Sequence, residues 1–170
     1  KAIAAIALAS IAGVASAQNI LDNAGFESGA LDPWYANNGS PFVTSDEAHS
    51  GTFSAAAFGS DEIRQDFAAI AASTITEVSV WIKRAGGPFD QYTFFYSDGS
   101  SMNHLLSGNG DDWQQFDLTS NLDTSKELTG FSIFGTSSGP AYMDDFVITP
   151  APASIALMGL GGLAATRRRR

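Results

Sequence analysis

The chain has 170 residues, with 18 acidic and nine basic side chains and no cysteine. That length allows one domain of ordinary size, and the missing cysteines exclude disulfides, thiol catalysis and cysteine-ligated metals. With Lys1 and the C-terminal Arg167, Arg168, Arg169 and Arg170 set aside, Arg64, Lys83, Arg84 and Lys126 face all 18 acids, a net −14 that disfavours nucleic acid and anionic lipid.

Residues 2–17 read AIAAIALASIAGVASA, a short apolar run behind a positive residue that closes on Ala15-Ser16-Ala17. Small residues at these positions suit signal peptidase, so residues 1–17 are expected to be a helical signal peptide cleaved after Ala17. The competing reading is a buried N-terminal helix.

From residue 18 to 149 short β-favouring runs alternate with turn clusters. The expected strands are Phe53–Phe58, Ile63–Phe67, Thr74–Arg84, Gln91–Ser97, Gln114–Leu118, Gly130–Phe134 and Ala141–Ile148. Turns are expected at Ala36–Ser40, Arg84–Pro88, Asp98–Ser101, Ser107–Asp112 and Thr136–Pro140, with Ala68–Thr74 a loop or a single turn. This spacing predicts an all-β, antiparallel β-sandwich of the jelly-roll kind. Alternation places Val78, Val80 and Ile82 on a core face and Glu77, Ser79, Trp81 and Lys83 on the other. In AYMDDFVIT it places Asp144 on one face with Tyr142, Phe146 and Ile148, where a buried carboxylate needs a partner or a metal.

The end of the chain reads TPAPASIALMGLGGLAATRRRR. Pro150 and Pro152 are expected to stop the last strand. Ala151 to Thr166 carries no charge and would span about 24 Å as a transmembrane-like helix, with snorkelling arginines reaching the interface. Arg167, Arg168, Arg169 and Arg170 would hold that end in the cytoplasm as a membrane anchor, which leaves the body outside. This combination resembles the PEP-CTERM sorting signal over Thr149 to Arg170, with Ala151 standing where the motif has glutamate. The resemblance implies processing around Pro150, Ala151 and Pro152 by an exosortase-type enzyme after transient inner-membrane anchoring. The competing reading is a permanent anchor.

The segments NILDNAGFESG, EAHSGTFS, EIRQDF, TEVSVWIKR, DDWQQF and AYMDDFVI follow one another in the order found in carbohydrate-binding-module-like jelly rolls. The body therefore resembles that galactose-binding-like superfamily over nearly all of residues 19–149. The resemblance implies a structural calcium held by Glu27, by backbone oxygen near Ser50 and by Asp144. Otherwise Glu27 and Asp144 pair with Arg64 or with backbone donors. A sugar surface needs exposed aromatic platforms, for which Trp81, Tyr92 and Tyr96 are the named ligand-binding candidates, beside Phe95 and Trp34. Tyr92, Phe94 and Tyr96 share one face of their strand and Phe95 lies on the other; one of these faces is core, so packing competes with the platform reading.

Catalysis finds little support. His49 lies in a His-Ser-Gly turn and His104 in a polar loop, and no zinc spacing, nucleophile elbow or phosphate loop occurs. The acid pairs Asp46-Glu47, Asp61-Glu62 and Asp111-Asp112 sit in turns. The leading expectation is an exported, non-enzymatic envelope or extracellular-matrix protein, with residues 18–149 as domain and 150–170 as sorting tail. The alternative is a carbohydrate-binding module recognising exopolysaccharide; a third reading is a glycan-active enzyme.

Overall fold

Alternating runs of apolar and polar residues make strands with one buried face, and two such sheets must pack together to hide those faces. The computed structural model describes residues 17–84, 89–107, 111–135 and 139–152, within which Asn19–Pro150 forms a compact unit. The strands are β1 (Tyr35–Asn38), β2 (Phe42–Thr44), β3 (Ser54–Ala57), β4 (Glu62–Ala71), β5 (Ile75–Arg84), β6 (Phe89–Tyr96), β7 (Ser101–Ser107), β8 (Gln114–Asp117), β9 (Glu127–Phe134) and β10 (Ala141–Pro150). One sheet runs β1-β4-β9-β6-β7 and the other β2-β3-β10-β5-β8. Every pairing is antiparallel. This is an all-β, two-sheet sandwich consistent with a jelly roll.

The core follows the alternation. Val78, Val80 and Ile82 face inward from β5, and Tyr92, Phe94 and Tyr96 from β6. Phe131 and Ile133 meet them from β9, and Met143, Phe146 and Ile148 from β10. Phe26, Trp34 and Phe146 form an aromatic knot, with ring centroids 4.7–5.9 Å apart. Gln65 points inward and holds the backbone of Asp22 by two hydrogen bonds of 2.9 Å. The segment before β1 is thereby fastened to the sandwich.

Three features differ from expectation. β10 is not a continuous alternation: its pairing with β5 shifts between Asp144 and Val147, and Asp145 sits at φ 47°. The extra residue of a bulge reverses the faces beyond it. Met143 and Phe146 therefore both reach the core, and Asp144 faces away from Phe146 and Ile148. The Ala68–Thr74 loop is instead the end of β4 followed by a 3-10 turn over Ala72–Thr74. His104 lies in strand β7 rather than in a loop, with its ring stacked on Tyr92 at 5.2 Å. Pro150 ends β10 as its last residue, opposite Ile75. Ala17 is exposed and described; the rest of the expected signal peptide, and the tail beyond Pro152 with Arg167–Arg170, lie outside the described residues.

Gly51 has φ +62°, and a Cβ there would stand 2.4–2.7 Å from the carboxylate atoms of Glu27. Gly51→Ala should cost about 1–2 kcal/mol from the left-handed backbone alone, read as a lower midpoint in urea unfolding at unchanged slope.

Candidate carbohydrate interface

The outer face of the β1-β4-β9-β6-β7 sheet gathers side chains from all five strands in three rows. Backbone register aligns Tyr35, Arg64, Ser132, Thr93 and Asn103 in the middle row. On one side lie Asp66, Gly130, Phe95 and Ser101; on the other, Glu62, Phe134, Gln91 and Leu105. Their alternation with inward neighbours makes this an array of rings, amides, hydroxyls and three charges.

Tyr35 at one edge is 41% exposed and Leu105 at the other 62%. Between them the Arg64 guanidinium lies over the Phe95 ring, 3.6 Å from its centroid. Arg64 Nε and Nη2 both reach Asp66 Oδ1 at 2.8 Å. The Tyr35 hydroxyl donates to Asp66 Oδ2 at 2.8 Å. Glu62, buried, accepts from the Asn37 amide, and Asn103 donates to Gln91. Ser132 is fully buried in the centre of this array, and its Oγ has no hydrogen-bond partner among the described residues. A buried hydroxyl in that condition costs about 1–3 kcal/mol, so it marks a place where another polar group is wanted.

Partial burial, and then donation to Asp66, push the Tyr35 hydroxyl up to about 12. A phenol whose folded pKa exceeds its unfolded value of about 10 contributes stability below pH ~10 and loses it as pH rises toward 12. An absorbance titration of the tyrosines should lose a group near pH 12 in Tyr35→Phe and see that group move down in Asp66→Asn.

Of the expected platform residues, Tyr92 and Tyr96 are buried core side chains, with their hydroxyls bonded to Asn121 and Asp123. They offer no surface to a ligand; Phe95, between them in sequence, faces outward. Trp34 is likewise buried. Trp81 is half-buried on the outer face of the second sheet, with His49 stacked on it at 3.7 Å and 14°. A shallow cavity of about 350 Å³ opens on that sheet. Its lining (Thr76, Glu77, Ser79, Gln115, Asp117 and Thr119) contains no ring, and Ser79 is engaged by Glu77 and Thr119 by Asp117.

The residues expected at calcium are close in space but face hydrogen-bond donors. Asp144 Oδ2 accepts from the backbone of His49 at 2.9 Å and of Ser50 at 3.1 Å, and Oδ1 accepts from Asp145 N. Glu27 Oε1 accepts from Thr52 N and Phe53 N. Asp145 holds His49 Nδ1 at 2.7 Å and the Ser50 hydroxyl at 2.8 Å. Ser50 thus offers Asp144 an N–H rather than a carbonyl oxygen. Arg64, the other partner considered, lies on the opposite sheet and is engaged by Asp66.

A cation would still suit the donor chemistry. Asp144 is fully buried with only N–H partners, and burial is the largest cause raising its pKa. A Cβ on Gly25 would sit 3.4–3.5 Å from Asp145 and Asp144 oxygens, so two carboxylates border one gap, while the Glu27 carboxylate lies at Gly51. Among the described residues, however, no group of three His, Cys, Asp or Glu side chains converges as metal ligands would.

No protein-family model matches the chain, and no curated protein matches it either. Solved structures do. The family 16 carbohydrate-binding module 2 superposes with TM-score 0.59 at 16% identity, covering 76% of this chain and 99% of that one. TmCBM61, solved with β-1,4-galactotriose, gives 0.54 at 20% identity, covering 78% and 99%. The family 11 carbohydrate-binding module from Clostridium thermocellum, solved with a β-1,3-1,4-mixed-linked tetrasaccharide, gives 0.53 at 12% identity, covering 79% and 96%. At these identities the likeness establishes the β-sandwich fold that this chain shares with carbohydrate-binding modules.

Proposed function

We propose that the chain is a non-catalytic carbohydrate-binding module that holds a polysaccharide on the outer face of the β1-β4-β9-β6-β7 sheet. The observation that carries this reading is the row structure of that face. It sets a partly exposed ring, Phe95, on the same face as the amides Gln91 and Asn103 and an unpartnered buried hydroxyl, Ser132. Rings supply the flat apolar contact that a sugar's C–H face needs, while amides and hydroxyls meet its hydroxyl groups. The net charge of −14 on the body favours a neutral or cationic glycan over a uronic or sulfated one.

The test is affinity electrophoresis of the full chain in gels containing β-1,4-galactan, xylan or mixed-linkage β-1,3-1,4-glucan. At least one gel should retard the protein. Phe95→Ala should weaken that retardation roughly tenfold, because a stacked ring is worth about 1–2 kcal/mol. Absence of retardation on every neutral and cationic polysaccharide would overturn the reading.

The two ends add a destination. The apolar N-terminal run and the Pro-Ala-Pro, apolar, polyarginine tail support export, transient membrane anchoring and release to the envelope or matrix, with exopolysaccharide as the glycan met there. Mass spectrometry of the protein from its producing cell should find an N-terminus at Gln18 and a C-terminus near Ala151. Calcium belongs to the same proposal: Glu27, backbone oxygen near Ser50 and Asp144 would hold it once Asp144 and Glu27 turn from their N–H partners, and it would supply the positive charge that the buried Asp144 lacks. Melting with calcium should then exceed melting with chelator, and equal midpoints would remove the ion from the reading.

A further inference from the structure

On the reading that this sheet face binds glycan, the seat for the sugar ring is already filled by the protein's own side chain. Arg64 stands on β4 and Phe95 on β6, with β9 between them. Two strand spacings amount to about 9.5 Å, so an arginine that puts Cζ 3.6 Å from the Phe95 centroid must lie across β9. It crosses where β9 presents Gly130 and Ser132 to the outer face. Gly130 leaves the room: a Cβ there would meet Asp66 Oδ1 at 2.4 Å. Asp66 accepts from both Arg64 and Tyr35, and so orients the guanidinium over the ring.

Three observations bear on what this arrangement does. The planar guanidinium covers the ring that would stack a pyranose. Beside the crossing, the Ser132 hydroxyl is fully buried and has no partner among the described residues. What fixes the cover is a half-exposed ion pair, with Asp66 50% and Arg64 23% accessible. Exposed pairs are weak, and a cation on an exposed ring is held only modestly. A cover held this loosely can be displaced by a ligand.

We infer that Arg64 is a displaceable gate on the glycan seat. An incoming neutral sugar ring replaces the guanidinium on Phe95 and brings a hydroxyl to Ser132, while Arg64 swings outward and keeps Asp66 as its partner. The gate sets affinity and selectivity together. A ligand that cannot both stack on Phe95 and satisfy Ser132 does not repay the displacement of Arg64.

Calorimetric titration of the full chain with β-1,4-galactotriose, xylohexaose and the β-1,3-1,4-mixed-linked tetrasaccharide tests this. The variants are Arg64→Ala, Arg64→Gln, Asp66→Asn, Ser132→Ala and Phe95→Ala. Removing the gate should tighten binding of whichever oligosaccharide the wild type takes. Arg64→Ala and Arg64→Gln should gain about tenfold, the size set by one cation–ring contact and one exposed ion pair. Asp66→Asn, which keeps Arg64 but frees it, should gain less. Ser132→Ala should cost affinity, and cost more in the Arg64→Ala background. Circular dichroism melting of each variant separates loss of fold from loss of binding. If Arg64→Ala and Asp66→Asn bind unchanged or more weakly while Phe95→Ala still weakens binding, the gate is wrong and the face survives as the site. If Phe95→Ala binds as the wild type does, the face itself is wrong and the gate falls with it.

Discussion

Trp34→Ala should cost the domain about 3–5 kcal/mol, a large share of the roughly 5–15 kcal/mol that holds a typical domain folded. Trp34 is 2% exposed and packs on Phe26 at 5.8 Å and Phe146 at 4.7 Å. Its indole N–H donates to the Asp22 carbonyl at 3.1 Å. Those contacts join two stretches of chain: the segment before β1, which holds Asp22 and the turn around Phe26, and β10. Phe26 also has φ 57°, a left-handed conformation that costs an L-residue about 1–2 kcal/mol. Burial in the aromatic knot offsets that strain, so an emptied Trp34 site would leave the turn free to relax. Trp34→Phe keeps a ring but loses the hydrogen bond, and should cost about half as much. Urea unfolding at constant slope gives both values, and the alanine variant should melt roughly 10–20 °C lower. A loss under about 1 kcal/mol, the size of an ordinary substitution, would mean that the knot is not what fixes the start of the domain.

The core was legible in the sequence wherever a strand kept its period of two. Val78, Val80 and Ile82 announce one buried face of β5, and Tyr92, Phe94 and Tyr96 one of β6. Deciding which face of β6 is core needs its neighbours, and this is why Tyr92 and Tyr96 stood among the platform candidates while Phe95 proves to be the outward ring. The bulge in β10 was not legible. Tyr142 to Ile148 reads as clean alternation, and only pairing with β5 reveals the inserted residue at Asp145. Strands β1, β2 and β7 are short or polar edge strands, which carry little apolar signal. Most of β1 therefore falls within the Ala36–Ser40 stretch that reads as a turn.

The outward face escaped for a different reason. Glu62, Arg64 and Asp66 alternate within EIRQDF, a signal visible in one dimension. Their meaning depends on Phe95, Ser132 and Tyr35, which register brings alongside from three other strands, all distant in sequence. Cross-strand rows are a property of pairing, and pairing is set by the whole sheet.

Asp144→Ala should be the most damaging change outside the hydrophobic core. The Asp144 carboxylate is completely buried and accepts from three backbone N–H groups, those of His49, Ser50 and Asp145. Alanine leaves all three without acceptors, each at about 1–3 kcal/mol before any water reaches them. Against this stands relief of the carboxylate's own desolvation, which is the largest cause raising its pKa. The net expectation is a loss of about 3–4 kcal/mol. Asp144→Asn should lose roughly half of that: its carbonyl can still accept from His49 and Ser50, but its amide would meet the Asp145 N–H donor to donor. Asp145→Asn should cost least, since Asp145 is about one-third exposed and asparagine tolerates its φ of 47°. The ranking, with Asp144→Ala worst, Asp144→Asn intermediate and Asp145→Asn mildest, follows from counting stranded donors, and urea unfolding of the three variants measures it directly. Should Asp144→Asn equal or exceed the wild type, the buried charge would be a net burden in the metal-free protein. Repeating the series with saturating calcium then separates the two roles of Asp144: an ion held there would widen the gap between aspartate and asparagine, whereas a purely hydrogen-bonding carboxylate would leave it unchanged.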